Sequence, residues 1–263
     1  MGIWAISGIA RTWKAGLAAA VLAALIPVSA LAKGGIELTL TPEIFVSGLD
    51  SVDTTNHGGL ELRTGFNYGG TLGLRMPVSK VFGLELNAGM ERVTTPRGAA
   101  STQQRIDRTD FTLLKGTAGL RIQLSKRISL FAAARLREVP IIRAEDLITL
   151  TMDTVYVPGP LAELRLELIR GRRGTSLVLD AGYGQLLNVP QHNYILHHGA
   201  SYHGRLYLAG RKSGFRIGAF FDLFAQSTSI SRQMYAMGGA FFTLSIGAID
   251  VISLDEPPAA FPR

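Results

Sequence analysis

Histidine is concentrated in one part of the chain, where four residues lie close together: His192, His197, His198 and His203. Neutral imidazole binds zinc, copper and nickel. His197, His198 and His203 are therefore candidate metal ligands, with Asp107 or Asp110 as candidate further ligands. However, the His-x-x-x-His spacing of helical zinc sites is absent. A polar loop explains the cluster without a metal, so the sequence predicts no bound metal and no other cofactor.

Ser201 and His203 are two residues apart, which places both side chains on one face of a strand. A serine activated by a histidine base, with Asp180 or Asp222 as a third member, would act as a nucleophile in ester hydrolysis. The Gly-x-Ser-x-Gly turn of many serine hydrolases is absent. These residues leave enzymatic activity open, and the sequence as a whole does not favour it.

The segment from Gly59 to Met90 shows which elements must carry these residues. Alternate positions from Leu60 to Met76 are apolar or small, and the positions between them are mostly polar or glycine. This period of two predicts a long strand with one apolar and one polar face. Strands in globular domains are commonly about 5–6 residues long, so the length favours a tilted crossing of a membrane. The alternation resumes after a tight turn, 77–80.

The same pattern predicts ten strands, over these ranges: 35–46, 59–76, 82–91, 110–124, 128–137, 161–169, 176–187, 201–209, 215–225 and 233–249. Tight turns alternate with polar, mostly long loops, of which 138–160 is the longest irregular stretch. A transmembrane barrel with both termini on one side of the membrane requires this alternation. The predicted fold class is all-β, an antiparallel up-and-down transmembrane β-barrel of about ten strands, with eight or twelve as alternatives. A soluble barrel with its apolar face inward is the other interpretation.

The chain ends and the composition fit a secreted protein. Residues 1–32 have the features of a signal peptide: a basic start, an apolar run (15–26) and a small-x-small cleavage pattern. The predicted barrel is 33–254, followed by a Pro-rich tail, 255–263. The chain has no cysteine, which excludes disulfides and thiolate metal sites. The net charge of +7 is spread without a Lys/Arg run, so no nucleic-acid partner is predicted.

If the polar face lies inside, the barrel lumen receives a set of acidic and basic side chains in nearly equal number. The predicted lumen-lining residues are Glu61, Arg63, Arg75, Glu85, Glu91, Lys115, Arg121, Arg135, Arg137, Glu163, Arg165, Glu167, Asp180, Arg205, Arg216 and Asp222. Near-balance is expected there, because an unpaired charge in a narrow lumen is costly.

With these features the chain resembles a small bacterial outer-membrane β-barrel of the OmpA-like and OmpW-like kind. The repeated Gly-Leu-Arg-x-x-x-Ser-Lys turn (73–80 and 119–126) and the small-aromatic alternation of 237–247 carry this generic resemblance. It implies a location in the outer membrane, contact with outer-membrane lipid and loops that could bind an external ligand or surface partner. The last strand runs into the Pro-rich tail, whereas such barrels often end on an aromatic residue.

Three functions remain as hypotheses. The first is an outer-membrane barrel with a narrow charge-lined lumen, which has a structural or surface-interaction role or passes small solutes as a porin-like channel. The second is an outer-membrane hydrolase that deacylates lipid A or phospholipid through Ser201 and His203. The third is a secreted soluble barrel that binds an apolar ligand.

Overall fold

A computed structural model describes residues 36–53, 59–94, 105–106, 110–144, 149–171, 174–187, 190–191, 194–195, 197, 199–210, 214–228 and 231–246. The predicted signal peptide and C-terminal tail lie outside these residues, as do Asp107, His192 and His198. Within the described ranges, no helix is long and apolar enough to cross a membrane.

All the described elements are strands. In chain order they are β1 (Glu37–Asp53), β2 (Gly59–Arg63), β3 (Asn67–Pro77), β4 (Phe82–Thr94), β5 (Arg105–Ile106), β6 (Asp110–Gln123), β7 (Ile128–Ala144), β8 (Thr149–Arg170), β9 (Thr175–Leu186), β10 (Pro190–Gln191), β11 (Tyr194–Ile195), β12 (Gly199–Gly210), β13 (Arg216–Ser227) and β14 (Ser231–Ile246).

The strands form a closed antiparallel barrel in up-and-down order. Neighbours along the chain pair with one another, and β14 pairs back with β1 from Leu38–Ile246 to Asp53–Ser231. Both β2 and β3 pair with β1, so together they form one interrupted strand of the wall. Counted in this way the barrel has ten strands, and the predicted fold class is confirmed. Closure leaves no unpaired sheet edge in the wall.

The two ends of the barrel differ. At one end, here called the turn end, β1 begins, β14 ends and four short connections join β3–β4, β6–β7, β8–β9 and β12–β13. Two of these connections contain a glycine with positive φ, Gly174 (80°) and Gly214 (61°), a conformation that residues with a Cβ rarely adopt. The opposite end is called the loop end. The four short connections lie where the sequence predicted tight turns.

Side chains of the wall strands alternate between the outside and the lumen over most of their length. In β1, Ile44 on the outer face is 57% exposed, whereas its neighbour Phe45 points inward and is 2% exposed. The outer face is mainly aliphatic and aromatic along most of the wall, and examples are Leu40, Leu72, Leu84, Leu206, Leu208, Ile217, Phe221 and Leu244. The apolar face is therefore the outer one.

The predicted continuous strand 59–76 is interrupted at Thr64–Phe66, and the interruption changes which face points inward. Leu62 and Asn67 are both buried although they are five residues apart, so the alternation shifts by one between β2 and β3. The Thr64 hydroxyl accepts hydrogen bonds from the Ser47 backbone N–H at 2.9 Å and from the Asn67 side chain at 2.6 Å, which satisfies polar groups at the break.

The predicted irregular stretch 138–160 is also wrong, because most of it is the regular hairpin of β7 and β8. Pairing continues from Glu138–Tyr156 to Ala144–Leu150. The stretch contains Pro140, Pro158 and Pro160, which are uncommon within strands. Prolines can occupy strand positions whose N–H is not needed by the ladder. Similarly, β1 extends through 47–53, and the predicted loops 94–108 and 188–200 contain β5 and the small β10–β11 hairpin.

At the seam between β14 and β1 the two backbones lie close together, and a substitution can test this close approach. A Cβ added at inward-facing Gly239 would lie 2.0 Å from the Ile44 backbone oxygen, whereas one at outward-facing Gly238 would meet its nearest atom at 3.6 Å. We expect Gly239→Ala to lower the free energy of unfolding by about 1–3 kcal/mol, because the backbone must shift. Urea unfolding of the barrel in lipid vesicles measures the change. Gly238→Ala is the matched control, and equal effects of the two substitutions would contradict this account.

Candidate functional site

The lumen is the candidate site, and it has two layers. The half nearer the turn end, here called the charged layer, contains Glu37, Glu43, Arg75, Glu85, Glu91, Lys115, Arg121, Arg135, Arg137, Glu163, Arg165, Asp180, His203, Arg205, Arg216 and Asp222. The half nearer the loop end, here called the apolar plug, is formed by Leu49, Leu62, Val93, Phe111, Leu113, Val139, Ile141, Val155, Val157, Leu186, Phe224 and Tyr235.

The apolar plug closes the lumen towards the loop end. Val139 and Ile141 of β7 and Val155 of β8 have no exposed surface, and Phe224 stacks on Tyr235 with ring centroids 6.3 Å apart. The inner face was predicted to be polar throughout, and the plug was missed. The plug arises because the strands continue past the charged layer, and beyond it their inward positions carry apolar residues.

One cluster of the charged layer is centred on Arg121 of β6. Its guanidinium donates to both oxygens of Glu85, at 2.5 and 2.9 Å, and to Glu163 at 3.0 Å. A further bond reaches the Ser129 hydroxyl at 3.3 Å. Arg75 lies 3.2 Å from Glu85 on the side of the turn end. Arg121 therefore links two carboxylates from strands on either side of it.

A second cluster joins strands from opposite sides of the barrel. Lys115 of β6 forms ion pairs with Glu43 of β1 and, at 3.0 Å, with Glu91 of β4. Glu91 also accepts from Arg137 of β7 at 2.6 Å, and Glu43 lies 3.5 Å from Arg205 of β12. Glu43, Glu91 and Arg137 are among the most buried of these groups, so their charges depend on their partners for the solvation that water would otherwise provide.

Two more pairs lie nearer the turn end. Arg165 and Asp180 form a bidentate pair at 2.8 and 2.9 Å, and the Tyr207 hydroxyl donates to Asp180 at 3.3 Å. Arg216 donates to Glu37 at 2.9 Å, which pairs β13 with β1 across the seam. Bidentate arginine–carboxylate geometry is the strongest form of such a contact.

The structure brings most of the predicted lumen residues together, with two exceptions. Glu61 and Arg63 lie on the outer surface, where their side chains are 56% and 78% exposed and pair with each other. The prediction was wrong for these two residues because the break at Thr64–Phe66 reverses the faces. Glu167 lies at the turn end of the inner face, where it binds Arg170 and Ser176. Glu37 and Glu43 were missed, although their odd numbering in β1 matches its inward positions.

The predicted serine–histidine arrangement is not that of a hydrolase. His203 Nε2 is 3.0 Å from Glu163. The Ser201 hydroxyl instead donates to the Gly184 carbonyl at 3.2 Å and accepts from Arg135. Base activation needs a hydrogen bond between serine and histidine, and among the described contacts there is none. Ser201 is also fully buried inside the lumen, out of reach of a lipid on the outer surface.

The candidate metal ligands do not come together. His203 lies inside the charged layer and His197 is exposed at the loop end. The third candidate, His198, lies outside the described residues. Within the part of the chain that the structure describes, no group of three or more His, Asp or Glu side chains could hold a metal ion.

A cavity of about 170 Å³ lies within the charged layer. Part of its wall is formed by the side chains of Arg135, Arg137 and His203 and by the aromatic rings of Phe224 and Phe241. A smaller cavity, about 40 Å³, follows towards the turn end beside Arg75. The lumen thus contains open space on the turn-end side of the plug.

Comparison with known proteins gives similarity of fold. No family model and no curated protein matches the chain. Solved outer-membrane barrels are similar to it. The outer-membrane protease OmpT from Escherichia coli is 6% identical with a TM-score of 0.43, and the match covers 81% of this chain and 97% of OmpT. An outer-membrane channel from Pseudomonas putida F1 is 10% identical with a TM-score of 0.44, covering 82% and 97%.

The translocator domain of the autotransporter NalP from Neisseria meningitidis is 12% identical with a TM-score of 0.40, covering 91% of this chain and 98% of that domain. These proteins include a protease, a channel and a translocator. Fold does not imply function, so the function of this chain must be argued from its own residues.

A pair of arginine substitutions tests the assignment of the charged layer to the inside of the barrel. We expect Arg121→Gln to lower the free energy of unfolding by about 3–5 kcal/mol, because it leaves Glu85 and Glu163 as buried carboxylates with fewer partners. Arg63→Gln removes an exposed ion pair and should cost less than about 1 kcal/mol. Urea unfolding followed by tyrosine fluorescence measures both. A larger effect at Arg63 than at Arg121 would show that the two faces are assigned wrongly.

Proposed function

We propose that this protein is an integral barrel of the bacterial outer membrane, with a closed lumen and a loop end that contacts partners outside the cell. The observation that carries the proposal is the apolar outer face of a closed barrel whose charges lie inside. Water-soluble barrels have the opposite arrangement, with an apolar interior and a polar surface. Only closed barrels and helices satisfy every backbone polar group within a bilayer.

Aromatic residues border the apolar outer face at both ends. Tyr183 and Tyr202 form a ring pair on the side of the loop end, with centroids 5.5 Å apart, and Phe215 and Phe242 pair near the turn end at 4.9 Å. Tyr202 is level with Leu223, eight residues from Phe215 in β13. At about 3.3 Å per residue and a tilt of about 40°, this spacing is roughly 20 Å. Transmembrane barrels have an apolar band of about 25 Å between aromatic girdles.

Charged groups return to the outer surface beyond the loop-end aromatics. Arg92 and Asp110 lie 3.6 Å apart on the outside, and the Glu61–Arg63 pair lies further along β2. This change from aliphatic to charged residues supports a membrane boundary at that level. In this orientation the turn end, with both ends of the barrel sequence, faces the periplasm and the loop end faces outward.

The alternative of a soluble barrel that holds an apolar ligand is not favoured by this geometry. At mid-height the inner face is occupied by the charged layer, and the cavity there is lined by arginine, aspartate and glutamate. A large apolar ligand would have to displace paired charges that lack other solvation.

The β7–β8 hairpin supports a surface role. Pairing of β6 with β7 ends at Lys115–Arg137, whereas β7–β8 pairing continues to Ala144–Leu150. At the point of separation the Leu114 backbone N–H donates to the Glu138 carboxylate at 2.7 Å. The hairpin therefore continues about seven residues, roughly 23 Å of strand, past its pairing with β6, and it is held by hydrogen bonds between Ile142 and Gln233 of β14. A hairpin fixed in this way offers a rigid surface to an external partner.

Membrane insertion can be tested with two substitutions of the same kind. Leu206→Arg places a charge on the outer face at mid-height and should destabilise the inserted barrel by about 2–4 kcal/mol, whereas Leu124→Arg at the turn end should cost about 0–1 kcal/mol. The measurements are the amount of protein in outer-membrane fractions and the mobility shift on boiling in SDS gels. A soluble barrel would tolerate both changes equally and remain in the periplasmic fraction.

Closure of the lumen predicts a second property. Purified protein in planar bilayers should give no steady unitary conductance, because the apolar plug fills the lumen above the charged layer. An open channel of comparable barrel type measured in parallel shows that insertion is detectable. Regular single-channel steps from this protein would overturn the closed-lumen proposal and favour a solute pore.

A further inference from the structure

Arg135 differs from every other cation around the lumen cavity. The basic residues that line the cavity are Lys115, Arg121, Arg135, Arg137, Arg165, Arg205 and Arg216. Six of them have a carboxylate within ion-pair distance. Within the described part of the chain, Arg135 has none.

Burial makes this unpaired charge expensive. Arg135 is 8% exposed, and its Nε has no hydrogen-bond partner among the described residues. Its contacts are a hydrogen bond to the Ser201 hydroxyl and the face of the Phe224 ring, 5.3 Å from the guanidinium carbon. A hydroxyl and a ring face are weak compensation for a guanidinium removed from water, which costs several kcal/mol.

The nearby carboxylate of Asp222 does not form an ion pair with Arg135. Asp222 projects into the same cavity, but its nearest cation is Arg137 at 3.9 Å. Arg137 is in turn held by Glu91 at 2.6 Å. Arg135 lines the cavity, and its described hydrogen bond, to Ser201, comes from only one of its three guanidinium nitrogens.

We propose that the lumen contains a binding site for a small oxyanion, of the size of inorganic phosphate, held by Arg135, whose guanidinium is positioned by Ser201. The guanidinium fork matches the spacing of two oxygens on such an anion and binds them through charge-assisted hydrogen bonds. The Ser201 hydroxyl is fully buried and already donates to the Gly184 carbonyl, so it positions the guanidinium and does not contact the anion itself. The cavity of about 170 Å³ is roughly ten times the space that one water needs, so the ion fits with part of its hydration.

The site is reached from the turn end. The apolar plug closes the opposite side, whereas the cavity continues past Thr39 and Arg216 towards the smaller cavity beside Arg75. In the orientation proposed above, the anion would come from the periplasm. Binding itself does not depend on that orientation, because it is measured on the purified barrel in detergent.

Calorimetric titration of the barrel with inorganic phosphate tests the proposal, in a buffer whose other anion is a bulky sulfonate. We expect saturable binding of one phosphate per chain. Arg135→Gln should weaken it by about 10- to 100-fold, as expected for the loss of a hydrogen bond to a charged group. Arg75→Gln is the matched control, because it removes the same charge from the lumen without touching the cavity wall at Arg135, and should leave the affinity within about twofold.

Loss of the mobility shift on boiling would show that Arg135→Gln does not fold. In that case two more variants test the proposal. Arg135→Lys keeps the charge but loses the fork, and Ser201→Ala removes the hydroxyl. Each should reduce the affinity for phosphate by about tenfold. Absence of saturable binding to the unaltered protein would overturn the proposal. Equal weakening by Arg75→Gln and Arg135→Gln would also overturn it, since general attraction to a basic lumen would then explain the result. Binding of chloride but not phosphate would exclude an oxyanion site.

Discussion

Pairing of buried charge is the constraint on which the interior of this barrel depends. A ten-strand barrel is too narrow to hydrate its inner face as bulk water would, so each ion loses several kcal/mol of solvation that only a partner can replace. The acidic and basic side chains meet this demand by converging from different strands, as Lys115, Glu43 and Glu91 do. Positions on the inner face are therefore coupled to one another far more than positions on the outer face.

The surroundings of the wall explain why polarity changes along its length. At mid-height the outer face is aliphatic and the inner face charged, whereas beyond Tyr68 the outer face carries Glu61 and Arg63 and the inner face carries Leu62. The break at Thr64–Phe66 is where one continuous chain changes from the first arrangement to the second. The part of the barrel beyond it is built like a small soluble β-structure, with an apolar core and a charged surface.

Much of the fold follows from the sequence because the period of two is direct evidence of a strand face. Alternation over the ten predicted ranges is enough for strand number and order, and the tight turns, such as 77–80, show which strands form hairpins. The incorrect predictions lie where this alternation is hidden or interrupted. A one-residue shift, as between Leu62 and Asn67, reverses faces without any obvious signal, and prolines such as Pro158 conceal a paired strand. Glu163 could be assigned to the lumen from parity alone, but its partner His203, forty positions away, depends on how β8 and β12 are arranged around the lumen.

The ion pair between Arg216 and Glu37 joins the ninth strand of the wall to the first. Likewise, Glu43 near the start of the barrel meets Lys115 from its middle and Arg205 from its second half. The Arg216–Glu37 and Arg205–Glu43 pairs cannot form while the sheet is still open, since their strands then lie towards opposite edges. Burial of the interior and closure of the wall must consequently occur in one cooperative step, and a partly assembled sheet would expose its charged face to water until the first and last strands meet.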